Sequence, residues 1–368
     1  MSRGTAELQP FWGNPAAQEA LAQMIRSQRI PHTLLLEGPP GVGKATLARR
    51  FAAALLGRPH LIEQDDLSLP ANQQVIVERE KWTAEKRTEE PLFFASHPDF
   101  FTFPPEGPLR QISIAQMRLL RDQAAFQPLA GQRRVFLIDR IDRANEQAAN
   151  SLLKTLEEPP PHLILILTAE NAYDLLPTIR SRSILIRLAP LTEAEMRAFL
   201  ATRADLTHPE RRLALCAGSP GAALSLDIDS YDRRRSAMLA LLQTASGAAP
   251  FGVWAKHSES LSAAKLEKLE DYLAVLQSLL EDILLLAHGL PPSRNADIEP
   301  QLQALSSRVR FAWIQAAVRY SAELATLVRR NIQKSLALDS LVLRLERLAS
   351  AHSLPRGNPP QAALQPRL

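Results

Sequence analysis

The feature that most restricts how this chain can fold is the run Gly38-Pro39-Pro40-Gly41-Val42-Gly43-Lys44-Ala45-Thr46. It follows directly on the apolar segment Thr33–Glu37 (TLLLE) and leads into an Ala- and Leu-rich stretch, 44–56. A strand, a glycine-rich turn and a helix in that order let backbone N–H groups close around phosphates, with the positive end of the helix behind them. Lys44 stands where its ammonium reaches the outer phosphates. The order predicts a phosphate-binding loop within an α/β domain, so ATP is an expected ligand. The position after the lysine, which usually carries Ser or Thr to coordinate Mg²⁺, is Ala45. Thr46 is turned about 100° around the helix from that position. Mg²⁺ is therefore a doubtful ligand.

Three apolar runs, Thr33–Glu37, Val135–Asp139 (VFLID) and Leu163–Thr168 (LILILT), read as buried parallel strands, and Ser183–Leu188 (SILIRL) reads as a fourth. Helical stretches lie between them, one opened by a capping box of Ser113 and Gln116. This alternation predicts a doubly wound α/β domain over residues 1–190. Beyond Pro190 the strand pattern stops. Thr192 and Glu195 form a second capping box at the head of several short helices, 191–229, and residues 230–350 read as helical throughout. There Leu266, Leu269, Leu273, Leu276, Leu280 and Ile283 recur at three- and four-residue steps and make an apolar stripe. Residues 351–368 carry Pro355, Pro359, Pro360 and Pro366 and are expected to form a disordered tail. The charged segment 61–91 reads as an insertion between strand units.

The run VFLID ends in Asp139, placed to hold the water shell of a metal in a nucleoside triphosphatase. Ring-forming ATPases usually follow it with a Glu that activates the attacking water. Here the next residue is Arg140. A guanidinium stays protonated and has no acceptor, so it cannot take a proton from water. Asp142 and Glu146 stand too far along to be taken as substitutes. Ala45 and Arg140 are independent defects, and both argue against efficient hydrolysis within this chain.

The segments Asn150–Pro160 (NSLLKTLEEPP) and Leu175–Ser183 (LLPTIRSRS) closely resemble the bacterial clamp-loader ATPase family. Gly218–Leu224 (GSPGAAL) and the stretch 331–346 resemble it weakly. The resemblance implies an AAA+ phosphate-loop domain with a parallel sheet, a small helical lid and a C-terminal helical collar. It implies a five-membered ring within the replicative DNA polymerase assembly, which opens a sliding clamp and closes it around primed DNA. The degenerate site points to a non-motor member of that ring. An active, ATP-hydrolysing motor subunit is the alternative. The family's Ser-Arg-Cys motif falls on Ser181, Arg182 and Ser183, and its arginine reaches in trans into a neighbour's ATP site. Arg180 is a nearby competitor for that role. Relatives often carry a four-cysteine zinc module, but residues 57–108 hold no cysteine. No zinc or other metal site is expected, and His60 and His97 read as surface or turn residues.

Bulk composition adds less. With 43 Lys and Arg against 39 acidic residues the net charge is +4, too small a bias to predict DNA binding alone. The absence of a basic, aromatic-rich patch also argues against a stand-alone nucleic-acid module. Cys216 is the only cysteine, which fits a reducing cytoplasm. The N-terminus lacks a signal-peptide core, and the longest uncharged stretch, 236–255, is too polar to span a bilayer. A cytoplasmic protein is expected.

Overall fold

The computed structural model of the chain describes residues 8–263, 268–327 and 333–351. The chain divides into two compact units, Met1–Ser225 and Leu226–Leu368.

The first unit runs α1 (Pro15–Ser27), β1 (Thr33–Glu37), α2 (Lys44–Leu56), α3 (Pro59–Ile62), α4 (Pro70–Arg79), α5 (Ala84–Glu89) and β2 (Phe100–Phe103). It continues through α6 (Ile114–Ala124), β3 (Arg134–Ile138), α7 (Glu146–Glu157), β4 (Leu163–Ala169), α8 (Pro177–Ser181) and β5 (Ile184–Arg187). Three short helices, α9 (Glu193–Ala201), α10 (Pro209–Leu215) and α11 (Pro220–Ser225), complete it.

The five strands form one parallel sheet in the order β2-β3-β4-β1-β5. Their near-continuous apolar runs are explained by burial on both faces. Residue parity sorts the side chains. Leu34, Leu36, Val135, Leu137, Ile164 and Ile166 pack with α1 and α2, where Leu21, Leu47 and Phe51 meet them. Leu35, Phe136, Ile138, Leu163, Leu165 and Leu167 point the other way, onto Met117 and Leu120 of α6 and Leu152 and Leu156 of α7. Each such side chain contributes ~1.5–3 kcal/mol by leaving water. The architecture is the fold class expected from the sequence.

Several features depart from the sequence expectations. The strand β2 and the helix α1 were not anticipated, and Asp139 lies just past the end of β3 rather than within it. The charged insertion is helical. Arg49 of α2, 2% exposed, ties it down by donating from Nε to Glu63 at 2.8 Å and from a terminal nitrogen to Asp66. His97, read from the sequence as a surface or turn residue, lies in the turn before β2 but is fully buried; its Nδ1 accepts the Asp99 N–H at 3.1 Å. Burial lowers its pKa. His60 is exposed.

The second unit is helical: α12 (Ile228–Ala245), α13 (Phe251–Ala263), α14 (Leu269–Ala287), α15 (Glu299–Arg308), α16 (Phe311–Leu327) and α17 (Lys334–Ala351). The stripe Leu269, Leu273, Leu276, Leu280 and Ile283 is buried on α14, as expected; Leu266 and the tail lie outside the described residues. Tyr272, Val275, Leu279 and Leu286 are buried as well, so α14 is apolar around most of its circumference, as a central helix must be. It carries one fully buried carboxylate. Asp282 accepts the N–H groups of Ser293 (2.6 Å), Arg294 (3.2 Å) and Asn295 (2.9 Å), the Ser293 hydroxyl (3.1 Å) and the Asn295 amide (2.8 Å). Among the described residues no helix is long and apolar enough to cross a membrane.

Candidate functional site

The carboxyl ends of β1, β3 and β4, neighbours in the sheet, bring the candidate residues together. From β1 the chain enters the loop Gly38, Pro39, Pro40, Gly41, Val42, Gly43 and then α2, which begins at Lys44, Ala45 and Thr46. Gly41 and Gly43 have φ of 75° and 96°, in the left-handed region that glycine tolerates. Each is also crowded. A Cβ on Gly41 would lie 2.3 Å from the Ser219 hydroxyl, and one on Gly43 would lie 2.8 Å from the Phe11 ring.

Lys44 is 8% exposed and donates to the carbonyls of Gly38 at 2.5 Å and Pro39 at 2.8 Å. Burial holds its ammonium below the usual range, opposed by the negative fields of Asp139, Glu170 and Asp142. A buried cation behind a glycine-lined turn at a helix N-terminus fits phosphate oxygens. Ala45 offers no metal ligand, and among the described residues no three His, Cys, Asp or Glu side chains are grouped to hold a metal.

Asp139 accepts the Thr168 hydroxyl at 2.7 Å, and that hydroxyl in turn accepts the Arg140 N–H at 2.8 Å. Thr168, near the end of β4, thus fixes the turn in which Arg140 takes a left-handed φ of 59°. The Arg140 guanidinium pairs with Glu170. The position that would carry a carboxylate base therefore holds a cation, and the nearby carboxylate is occupied in neutralising it. Asp142 was set aside as too distant, yet the single 3₁₀ turn Ile141–Arg143 brings it into the field of Lys44. Its Oδ1 is buried without a hydrogen-bond partner, and burial raises its pKa. Thr168 and Glu170, which meet Asp139 and Arg140 here, were not singled out from the sequence, and Asp142 was named only to be set aside. The only sequence signal for the first two is that LILILT runs straight into Ala169 and Glu170.

The lid helices press on the loop. Gly221 donates its N–H to the Gly41 carbonyl at 2.8 Å, and the Ser219 hydroxyl donates to the Pro40 carbonyl at 3.0 Å. A Cβ on Gly221 would come within 2.9 Å of the Gly41 backbone, so α11 approaches with main chain and brings no cation. Cys216, between α10 and α11, is 5% exposed, and burial pushes its thiol up to about 11. Thiolate is the reactive species, so alkylation at pH 8 is expected to run about 100-fold slower in the folded protein than in urea. Iodoacetamide trapping followed by mass spectrometry checks this. Rates within a few-fold of each other would show the lid opening freely.

Arg182 lies elsewhere, at the end of α8. It pairs with Glu157 of α7 at 3.0 Å and donates to the Thr178 carbonyl at 3.3 Å; neither partner belongs to the phosphate loop. Arg180 lies 4.7 Å over the exposed Tyr173 ring. The Ser183 hydroxyl donates to the Ile179 carbonyl at 2.8 Å, closing α8.

Residues 13–192 match the family described as "DNA polymerase III, delta subunit". The chain is similar to DNA polymerase III subunit delta' of Escherichia coli, 27% identical over 333 residues, which cover 89% of this chain and 92% of that one. It is 32% identical to subunit delta' of Pseudomonas aeruginosa over 216 residues, covering 58% and 60% of the two chains. Subunit gamma/tau of Mycobacterium tuberculosis is 30% identical over 187 residues, 49% of this chain but only 28% of its own length. With a phosphate loop, a five-stranded parallel sheet and a match running from α1 into the start of the lid, residues 13–192 are similar to the family described as "DNA polymerase III, delta subunit".

Proposed function

We propose that this chain is the non-motor, delta-prime-type subunit of the clamp loader, the complex that places a sliding clamp on primed DNA during replication. It assembles with gamma/tau-type motor subunits and a delta-type subunit and works in the cytoplasm. In this reading the phosphate loop and Lys44 hold ATP, with Asp139 nearby, while hydrolysis in the chain's own site is weak or absent. Bound ATP would supply a phosphate chain for Lys44 and the helix N-terminus to neutralise. The chain's chemical contribution is made outside its own site, through Arg182, which enters the ATP site of a neighbour and offsets charge on the transferred phosphate.

The observation that carries this reading is the Arg140–Glu170 ion pair. It places a permanent cation where a base is needed and leaves Glu170 engaged. Supporting it, the similarity to the E. coli delta' subunit spans 92% of that protein, whereas the gamma/tau match is confined to part of a longer chain.

The test is co-expression with gamma/tau-type and delta-type subunits, followed by gel filtration and steady-state ATPase measurement. The chain is expected to elute within one complex, and alone to show no turnover above a Lys44→Ala control. Vigorous hydrolysis by the isolated chain, or its absence from the complex, would overturn the assignment.

A further inference from the structure

We propose that Glu157 is a positioning residue for Arg182, an assignment that rests on the trans-acting role just described. Two anchors hold the guanidinium, one at each terminal nitrogen: the Glu157 carboxylate at 3.0 Å and the Thr178 carbonyl at 3.3 Å. Both sit on secured elements. The helix α7 buries Leu152 and Leu156 in the core, and α8 buries Ile179. A guanidinium has five N–H donors in a rigid plane, so engaging one donor on each terminal nitrogen fixes the plane and leaves the remaining donors in set directions. A phosphate arriving from another subunit then meets a cation whose rotamer is already set, and less entropy is lost on contact. The other arginines nearby are held differently. Arg180 lies on Tyr173, and Arg187 donates to Glu37 at 2.9 Å. Among the described residues, only Arg182 is held by the acidic end of α7, within the segment LEEPP.

The pair is solvent-exposed, with side chains 36% and 50% accessible, so its effect is modest. Glu157→Ala in the reconstituted complex is expected to lower kcat for ATP by about two- to five-fold with KM unchanged. Glu157→Gln, which keeps an acceptor, recovers most of the loss. Combined with Arg182→Ala, Glu157→Ala has no further effect. An equal loss in the Arg182→Ala background would show a general structural role and overturn the assignment. So would a change confined to KM, or a rise in turnover. If Arg182→Ala lowers turnover and Glu157→Ala does not, the positioning role falls while the trans role stands. If Arg182→Ala itself changes nothing, the trans role falls and takes this inference with it.

Discussion

Arg182→Ala is expected to lower ATP turnover at the neighbouring site it is proposed to enter by ~10³-fold or more while ring assembly stays intact. The size follows from where the charge acts. During phosphoryl transfer negative charge spreads over the phosphate oxygens, and a fixed cation is worth far more there than in water. Within its own subunit Arg182 does little: its pair with Glu157 is exposed and screened, a class worth ~0.2–1 kcal/mol. Folding and assembly should therefore be unaffected. The measurement is single-turnover hydrolysis in a complex whose other motor sites carry a disabled phosphate-loop lysine. Arg182→Lys should recover only part of the rate, because an ammonium lacks the planar fork. Arg180→Ala should leave the rate unchanged, since its side chain lies over Tyr173. A full-rate Arg182→Ala complex would remove the trans-acting role.

The second large effect concerns stability. Asp282→Ala is expected to cost the helical unit ~3–5 kcal/mol. The carboxylate accepts five hydrogen bonds, three of them from consecutive backbone N–H groups at Ser293, Arg294 and Asn295. Alanine would strand the buried Asn295 donors, leave the part-buried N–H groups of Ser293 and Arg294 without this acceptor, and free the segment after α14 that leads to α15. Asp282→Asn retains one acceptor and should lose about half as much. Urea unfolding of the full chain reads this, with the two units followed as separate transitions. A loss below ~1 kcal/mol would show that the segment finds other partners.

The parts of the fold written locally were the parts legible in the sequence. The segments Thr33–Glu37 and Leu163–Thr168 announce themselves because strands covered on both faces need no polar alternation. The strand β2 escaped notice because FFTF is only four residues, set between Asp99 and the pair Pro104-Pro105. The loop and Asp139 were readable from spacing. The partnership of Arg140 with Glu170, 30 residues apart, was not, because it depends on β3 and β4 being neighbours in the sheet. Asp142 misled for a related reason: a left-handed residue at Arg140 followed by a 3₁₀ turn folds it back, and no periodicity reports that. His97 looked like a turn residue and is one, but the turn is internal.

The close meeting of Gly41 and Gly221 has a consequence for engineering. Installing Ser at position 45 and Glu at position 140 would supply a metal ligand and a base, yet the lid would still rest on the loop by its bare main chain. Any larger residue at 221 must prise the lid away from Gly41 by several tenths of an ångström or more, since its Cβ alone would fall at 2.9 Å.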